Sequence, residues 1–230
     1  MARVEQGSPK RRQQIRSVET RERLIQATLD EIFEVGYHAA TTQDIAARAN
    51  VSRGALLHHF PVRADLVLAA MEELLEDGTR QIKAMADKVR AGQGSLEGFV
   101  EFLWQLFSGR FFYLSLEMIT EARNDSGLRE RMIPVVKRFH QVLDGIWSAF
   151  CDPAKRPAPQ AQVILNLTLC LVRGMGVQTV LRPEPGYYRE LIEAWTALLP
   201  QIVDGAVGDA MFRRQGSQFA GETTSKPRRS

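Results

Sequence analysis

Apolar residues recur at intervals of three and four along most of this 230-residue chain, the spacing of helices that bury one face. Leu24, Ile25, Leu29, Ile32 and Phe33 form the first stripe, which predicts a helix from Ser17 or Thr20 to about Val35, stopped by Gly36. The next two stripes are short. Thr41-Thr42-Gln43-Asp44 has the pattern of a capping box, in which a threonine hydroxyl accepts a backbone N–H and the carboxylate reaches back to the cap. Ile45, Ala46 and Ala49 continue that helix, and Asn50 tolerates the left-handed conformation with which a helix ends abruptly. Val51 fits the corner, Ser52 suits the cap of a second short helix, and Leu56 and Phe60 would hold that helix on a core. Arg53, Gly54, Leu57 and His58 then face outward. Two short helices joined by a tight turn predict a helix-turn-helix.

Beyond Pro61 the pattern lengthens. Leu66, Val67, Ala70, Met71, Leu74, Leu75, Ile82, Met85 and Val89 stay in phase through Gly78, predicting one helix of roughly 27 residues, about 40 Å long. Further helices are expected from Leu96 to Ser108 and from Phe111 to Arg123. Another is expected from Leu128 to Phe150, where Pro134 should kink it or mark its true start. After a Pro-rich linker, Gln160 to Leu181 and Tyr187 to about Val207 complete the chain. No segment alternates as a strand does, so the fold class is all-α, with about nine helices.

Composition narrows the class. With 44% apolar and 25% charged residues the chain is an ordinary globular protein, not a disordered one. The first residues lack the apolar core of a secretory signal, and the greasiest run, Val163 to Val172, is too short to span a bilayer and is broken by Asn166 and Thr168. Cys151 and Cys170 make neither a zinc pattern nor a disulfide framework, so a reducing cytoplasm is expected. The net charge of +3 is unevenly spread: residues 1–16 and residues 213–230 each hold five Lys/Arg against one Glu, leaving the segment between them net acidic. Both ends read as disordered basic tails, and the N-terminal one is placed to follow DNA phosphates or enter a minor groove. There is no His-Glu-x-x-His, nucleophile elbow or phosphate loop; Gly92-x-Gly94 lies between helices with no strand before it. An enzyme is not expected, nor a cofactor or a metal.

The residues of the helix-turn-helix and its flanks resemble the TetR family of transcriptional regulators over residues 20–68: Gly36-Tyr37, Thr41-Thr42, Asp44-Ile45-Ala46, Ala49-Asn50-Val51-Ser52-Arg53-Gly54, Leu56, Phe60 and Leu66. The resemblance implies a DNA-binding domain over residues 17–63 and a helical ligand-binding and dimerisation domain over residues 64–212. It departs from the family at Leu57, where a tyrosine that touches the DNA backbone is usual, and at Asn50, where glycine is common. Arg63 stands where lysine is usual and keeps a phosphate-binding role. The expected DNA-binding residues are Thr41, Thr42, Ser52, Arg53, Gly54, Ala55, Leu57, His58 and Arg63. Arg53 is the best candidate for a bidentate guanine contact, Leu57 for a thymine methyl, and Thr41 and Thr42 for phosphate. His58 is a candidate for phosphate or base, whereas His59 diverges by 100° and packs inward.

One short helix reads too few bases, so a two-fold dimer on palindromic operator DNA is expected. The surface predicted for it is Leu167, Leu171 and Gly174 on the penultimate helix with Leu191, Trp195, Leu198, Leu199 and Ile202 on the last; an intrachain core is the alternative. The middle helices are rich enough in aromatics to line a cavity for a small-molecule effector. Its candidate residues are Trp104, Phe107, Phe111, Met118, Phe139 and Trp147, with Glu117, Glu121 and Arg173 as polar anchors; core packing is the alternative for the aromatics. A ligand that shifts the long helix from Arg63 to Val89 would respace the two reading heads and release the DNA. A repressor relieved by ligand is therefore expected, with a ligand-insensitive regulator, an activator or a helical protein-binding adaptor as alternatives.

Overall fold

Helix-forming residues and well-placed terminators decide most of the architecture. The computed structural model describes residues 9–148 and 158–204. Among these it contains nine helices and no strand: α1 (Pro9–Val35), α2 (Thr42–Arg48), α3 (Arg53–His59), α4 (Arg63–Arg90), α5 (Leu96–Phe107), α6 (Arg110–Asn124), α7 (Ser126–Ser148), α8 (Ala158–Gln178) and α9 (Pro185–Asp204). No described helix is long and apolar enough to cross a membrane.

The first helix corrects the sequence reading. It begins at Pro9, so only residues 1–8 of the expected 16-residue N-terminal tail lie outside the described residues, as does the whole C-terminal tail. Among the described side chains of the early turns none is buried: Ile15, Arg16, Ser17 and Val18 are exposed. No apolar stripe announces them, but Lys, Arg, Gln and Glu are good helix formers, and proline suits the first helical position because its missing N–H is not needed there. α9 likewise starts at a proline, two residues before the expected Tyr187.

α4 runs for 28 residues in a single helix, as the phase of its apolar residues predicts. Lys88, Val89 and Gly92 close it: the Gly92 and Gln93 N–H groups donate to the Val89 and Lys88 carbonyls, with Gly92 at φ 70°. Pro134 lies inside α7 and is not its start. It sits on the solvent face, opposite the buried Leu128, Met132, Val135 and Phe139, so the carbonyl it leaves unbonded can be hydrated.

The described residues form two compact units, one from residues 9–81 and 109–141, the other from residues 82–108, 142–148 and 158–204. In the first, α1, α2, α3, the first part of α4, α6 and most of α7 bury a core that includes Leu24, Ile32, Ile45, Leu56, Leu66, Met71 and Met118. In the second, α5 packs on α8 and α9, burying Phe99, Leu103, Phe107, Ile164, Val172, Tyr188 and Leu199. α4 and α7 contribute residues to both units.

Gly78 keeps the phase of α4 because nothing larger fits. A Cβ there would lie 2.5 Å from Phe111 Cε2, and the Phe111 ring is itself buried, 6.0 Å from that of Phe139. In an open helix Gly→Ala would stabilise by about 1 kcal/mol. Here the clash should win, and Gly78→Ala should lower the unfolding free energy by about 1–2 kcal/mol, measured by urea denaturation.

Candidate nucleic-acid interface

The helix-turn-helix forms from the local signals in its sequence. Thr41 caps α2: its hydroxyl accepts the Asp44 N–H at 3.2 Å and donates to the Asp44 carboxylate. The carboxylate therefore answers the cap through the hydroxyl and not through a backbone N–H, a variant of the expected box. At the other end the Asn50 and Val51 N–H groups donate to the Ala47 and Ala46 carbonyls, with Asn50 left-handed at φ 53°. That is a Schellman closure with asparagine where glycine is commonest. Ser52 caps α3, its hydroxyl accepting the Ala55 N–H at 3.1 Å.

Burial then orients α3. Leu56 is 1% exposed and Phe60 4%, while Leu57 is 45% exposed; Ser52, Arg53, Gly54 and His58 are also exposed, and Ala55 is part-buried. Arg53 forms no ion pair or hydrogen bond with any described residue. The face that the spacing of Leu56 and Phe60 predicts is thus open, with a guanidinium at its first turn. Thr41 is exposed and Thr42 part-buried at the start of α2.

Two neighbouring arginines are committed elsewhere. Arg48, the last residue of α2, donates through Nε to Glu31 at 2.7 Å and through its terminal nitrogens to Glu34, both on α1. The hydrogen bond from Arg48 holds the Glu34 carboxyl below its ordinary pKa. Arg63, expected on a phosphate, turns inward: it donates to the carbonyls of Tyr37 and Ala40, and its guanidinium stands 4.2 Å from the Tyr37 ring centroid. The loop between α1 and α2 leaves those carbonyls without helical partners, and a planar five-donor fork satisfies both. Neither the Arg48 clamp nor the Tyr37 seat is visible in the sequence, because both pair residues 14 to 26 positions apart.

The residues expected to line a cavity are divided between the two units. Phe111, Met118 and Phe139 are buried in the core of the first unit. Glu117 accepts the Tyr37 N–H at 3.0 Å, and Glu121 pairs with His38 at 3.1 Å, so both carboxylates engage the loop before α2. Trp104, Phe107 and Arg173 belong to the second unit; Arg173 stands 4.9 Å over the Phe107 ring, and Trp104 stacks on Tyr188 with centroids 5.5 Å apart. The Trp147 side chain lies outside the described residues.

Of the expected dimer residues, Leu167, Gly174 and Leu198 are exposed, and Leu171, Leu191, Trp195 and Ile202 are part-buried. Leu199 corrects the reading: it is 0% exposed and belongs to the intrachain core. Two consecutive residues of a helix point about 100° apart, so Leu198 and Leu199 cannot share an outer face.

Comparison with known proteins agrees with this geometry. Residues 24–70, which span the helix-turn-helix, match the family described as bacterial regulatory proteins, tetR family. The chain is 33% identical over 174 residues to the HTH-type transcriptional regulator CymR of Pseudomonas putida, covering 75% of this chain and 86% of that one. Its fold is shared with FadR from Bacillus subtilis, solved in complex with stearoyl-CoA, at a TM-score of 0.59 and 16% identity over 80% of this chain and 97% of that one. The multidrug binding protein EbrR, complexed with imidazole, is similar at a TM-score of 0.54 and 22% identity, with 76% and 93% covered. The chain belongs to the TetR family of helix-turn-helix, DNA-binding transcriptional regulators.

His59, beside the exposed His58, makes the head sensitive to acid. Burial first, then the charges of His58 and Arg21, lower its pKa from the ordinary 6.5. A folded state that binds fewer protons than the unfolded chain loses stability as pH falls, so the contribution is complete above about 6.5 and declines below it. His59→Gln should therefore show a smaller drop in thermal midpoint between about pH 7.5 and about pH 5.5 than the parent protein.

Proposed function

We propose that this regulator binds a palindromic operator as a homodimer and acts as a repressor that a small-molecule effector releases. The observation that carries the DNA reading is the outer face of α3: an exposed Arg53 on the first turn, without a partner among the described residues, with Ser52, Gly54, Ala55, Leu57 and His58 around it and Leu56 and Phe60 locking the helix below. In the major groove Arg53 reads a guanine bidentately, Leu57 lies against a thymine methyl, and Thr41, Thr42 and the α3 N-terminus meet phosphates. Arg16, exposed on an early turn of α1, adds a phosphate contact outside the half-site. Arg63 serves the interface indirectly, by holding the loop that leads into Thr41.

The dimer uses the outer faces of α8 and α9, where Leu167, Leu171, Gly174, Leu191, Trp195, Leu198 and Ile202 keep apolar surface open. Paired with their symmetry mates, the two helices make a four-helix bundle. Ligand response is supported by the relatives: FadR was solved with stearoyl-CoA and EbrR with imidazole. α4 is the physical route for it, one uninterrupted helix with residues in both units. An effector that binds one setting of α4 better than another shifts the population of reading heads that fit the operator.

Two measurements test this. In gel-shift titration on the DNA flanking its own gene, the parent protein should retard one palindromic fragment, and Arg53→Ala should cut the preference for it over scrambled DNA by about 1–3 kcal/mol. Absence of any retarded species at low salt would refute the DNA reading. In sedimentation, Leu198→Glu should shift the dimer to monomer with unchanged helical circular dichroism, because a charge buried without a partner is too costly for the interface; a dimer that persists would place the interface elsewhere.

A further inference from the structure

Most arginines of the described residues end on a carboxylate or a carbonyl, as Arg23, Arg48, Arg63, Arg110, Arg131 and Arg138 do. Arg173 does not. It is part-buried on α8, and its guanidinium makes no hydrogen bond or ion pair with any described residue. Its recorded contact is the Phe107 ring, 4.9 Å away. Burial pulls its pKa below the ordinary arginine value, and the neighbouring Cys170 offsets this only in part.

Position on the helix shows that this is not a surface arginine folded back by chance. Arg173 lies about 40° around α8 from the buried Leu169 and about 100° from the exposed Gly174, so it borders the inward stripe and not the outer face assigned to the dimer. Phe107 belongs to α5, and Trp104 precedes it by one turn, stacked on Tyr188 of α9. α8 thus sets the Arg173 cation over an aromatic ring of α5, whose neighbouring Trp104 stacks on α9.

A guanidinium lying over a ring uses its π face, its in-plane N–H donors here meet no acceptor among the described residues, and a part-buried donor without an acceptor is costly. The group that satisfies those donors best is a planar carboxylate, which takes two parallel N–H···O bonds and returns one negative charge. Among the described residues no second cation acts on Arg173, so a singly charged acid matches the site better than a dianionic phosphate. Trp104, part-buried one turn before Phe107, suits an apolar body attached to that acid.

We propose that Arg173, with Phe107 and Trp104, forms the acid-binding end of the effector site, and that the effector is an organic monocarboxylate with an apolar or aromatic body. This rests on the reading of the chain as a ligand-responsive regulator. Isothermal titration of the full chain with naphthoate, phenylpropionate and decanoate, each against its own primary amide, tests it. At least one acid should bind, its amide about 10–100-fold more weakly, and Arg173→Gln should remove that difference while leaving the amide's affinity unchanged. Arg173→Met should also raise the thermal midpoint of the unliganded protein, because it replaces an unpaired cation with apolar volume. Acids that bind no better than their amides, acids that all fail at about 1 mM, or a lowered midpoint in Arg173→Met would overturn the assignment. Gel-shift with the same compounds separates the two readings. An operator complex released only by a neutral or cationic compound leaves ligand response standing and overturns the carboxylate, whereas acid binding that leaves the complex intact upholds the site and counts against the release mechanism.

Discussion

The five residues from Gly36 to Ala40 make no helix of their own, and the orientation of the reading head depends on how their backbone is satisfied. Gly36 turns the chain at φ 84°, a conformation costly for any residue with a Cβ. Tyr37 then buries its ring, donates its N–H to Glu117 of α6 and gives its carbonyl to Arg63 of α4. Ala40, also buried, gives its carbonyl to the same guanidinium and leads into the Thr41 cap. Each charge-assisted bond of this kind contributes about 1.5–3 kcal/mol. The start of α2 is therefore fixed by α4 and α6, elements far away in sequence, as firmly as by its own cap.

The same unit manages its charges so that DNA can approach. α1 carries Asp30, Glu31 and Glu34 on the turns that pack beside α2, and three carboxylates there would repel a phosphate backbone. Arg48 takes Glu31 and Glu34, and Arg110 takes Asp30. Arg53, on the open face of α3, is left without a carboxylate among the described residues. The folded segment between the two basic ends can be net acidic overall and still present a cation where a base edge would be met.

Local signals made the fold and the reading face legible. Caps, left-handed terminators and apolar spacing act within four or five residues, so Thr41, Asn50, Ser52 and the Leu56–Phe60 pair could be assigned from the chain alone. The phase of α4 through Gly78 was legible for the same reason; the Phe111 ring that demands a glycine was not. What the sequence hid falls into two kinds. Exposed helix has no apolar stripe, so the first turns of α1 looked like tail. Long-range pairing has no period, so the sequence around Glu117, Glu121 and Arg63 shows their charge but not that the loop between α1 and α2 engages all three. Leu199 shows the limit of composition: an apolar pair next to an expected interface says nothing about which member faces out until the core of α9 is known.

The placement of those two glutamates changes what an effector has to accomplish. α6 packs on α1 and holds Tyr37 and His38 through side chains one turn apart. A shift of α6 against α1 would take the Tyr37 N–H from its acceptor without unfolding any helix. Tenfold weaker DNA binding corresponds to about 1.4 kcal/mol, and typical coupling between sites is about 1–3 kcal/mol. That is the size of the hydrogen bonds at this one loop. Under the proposed ligand response, coupling would need no large rearrangement of the head: a movement of α4 passed to α6 where Phe111 lies against Gly78, and just large enough to lengthen the Glu117 and Glu121 contacts, would be of the required size at the residues that lead into the Thr41 cap.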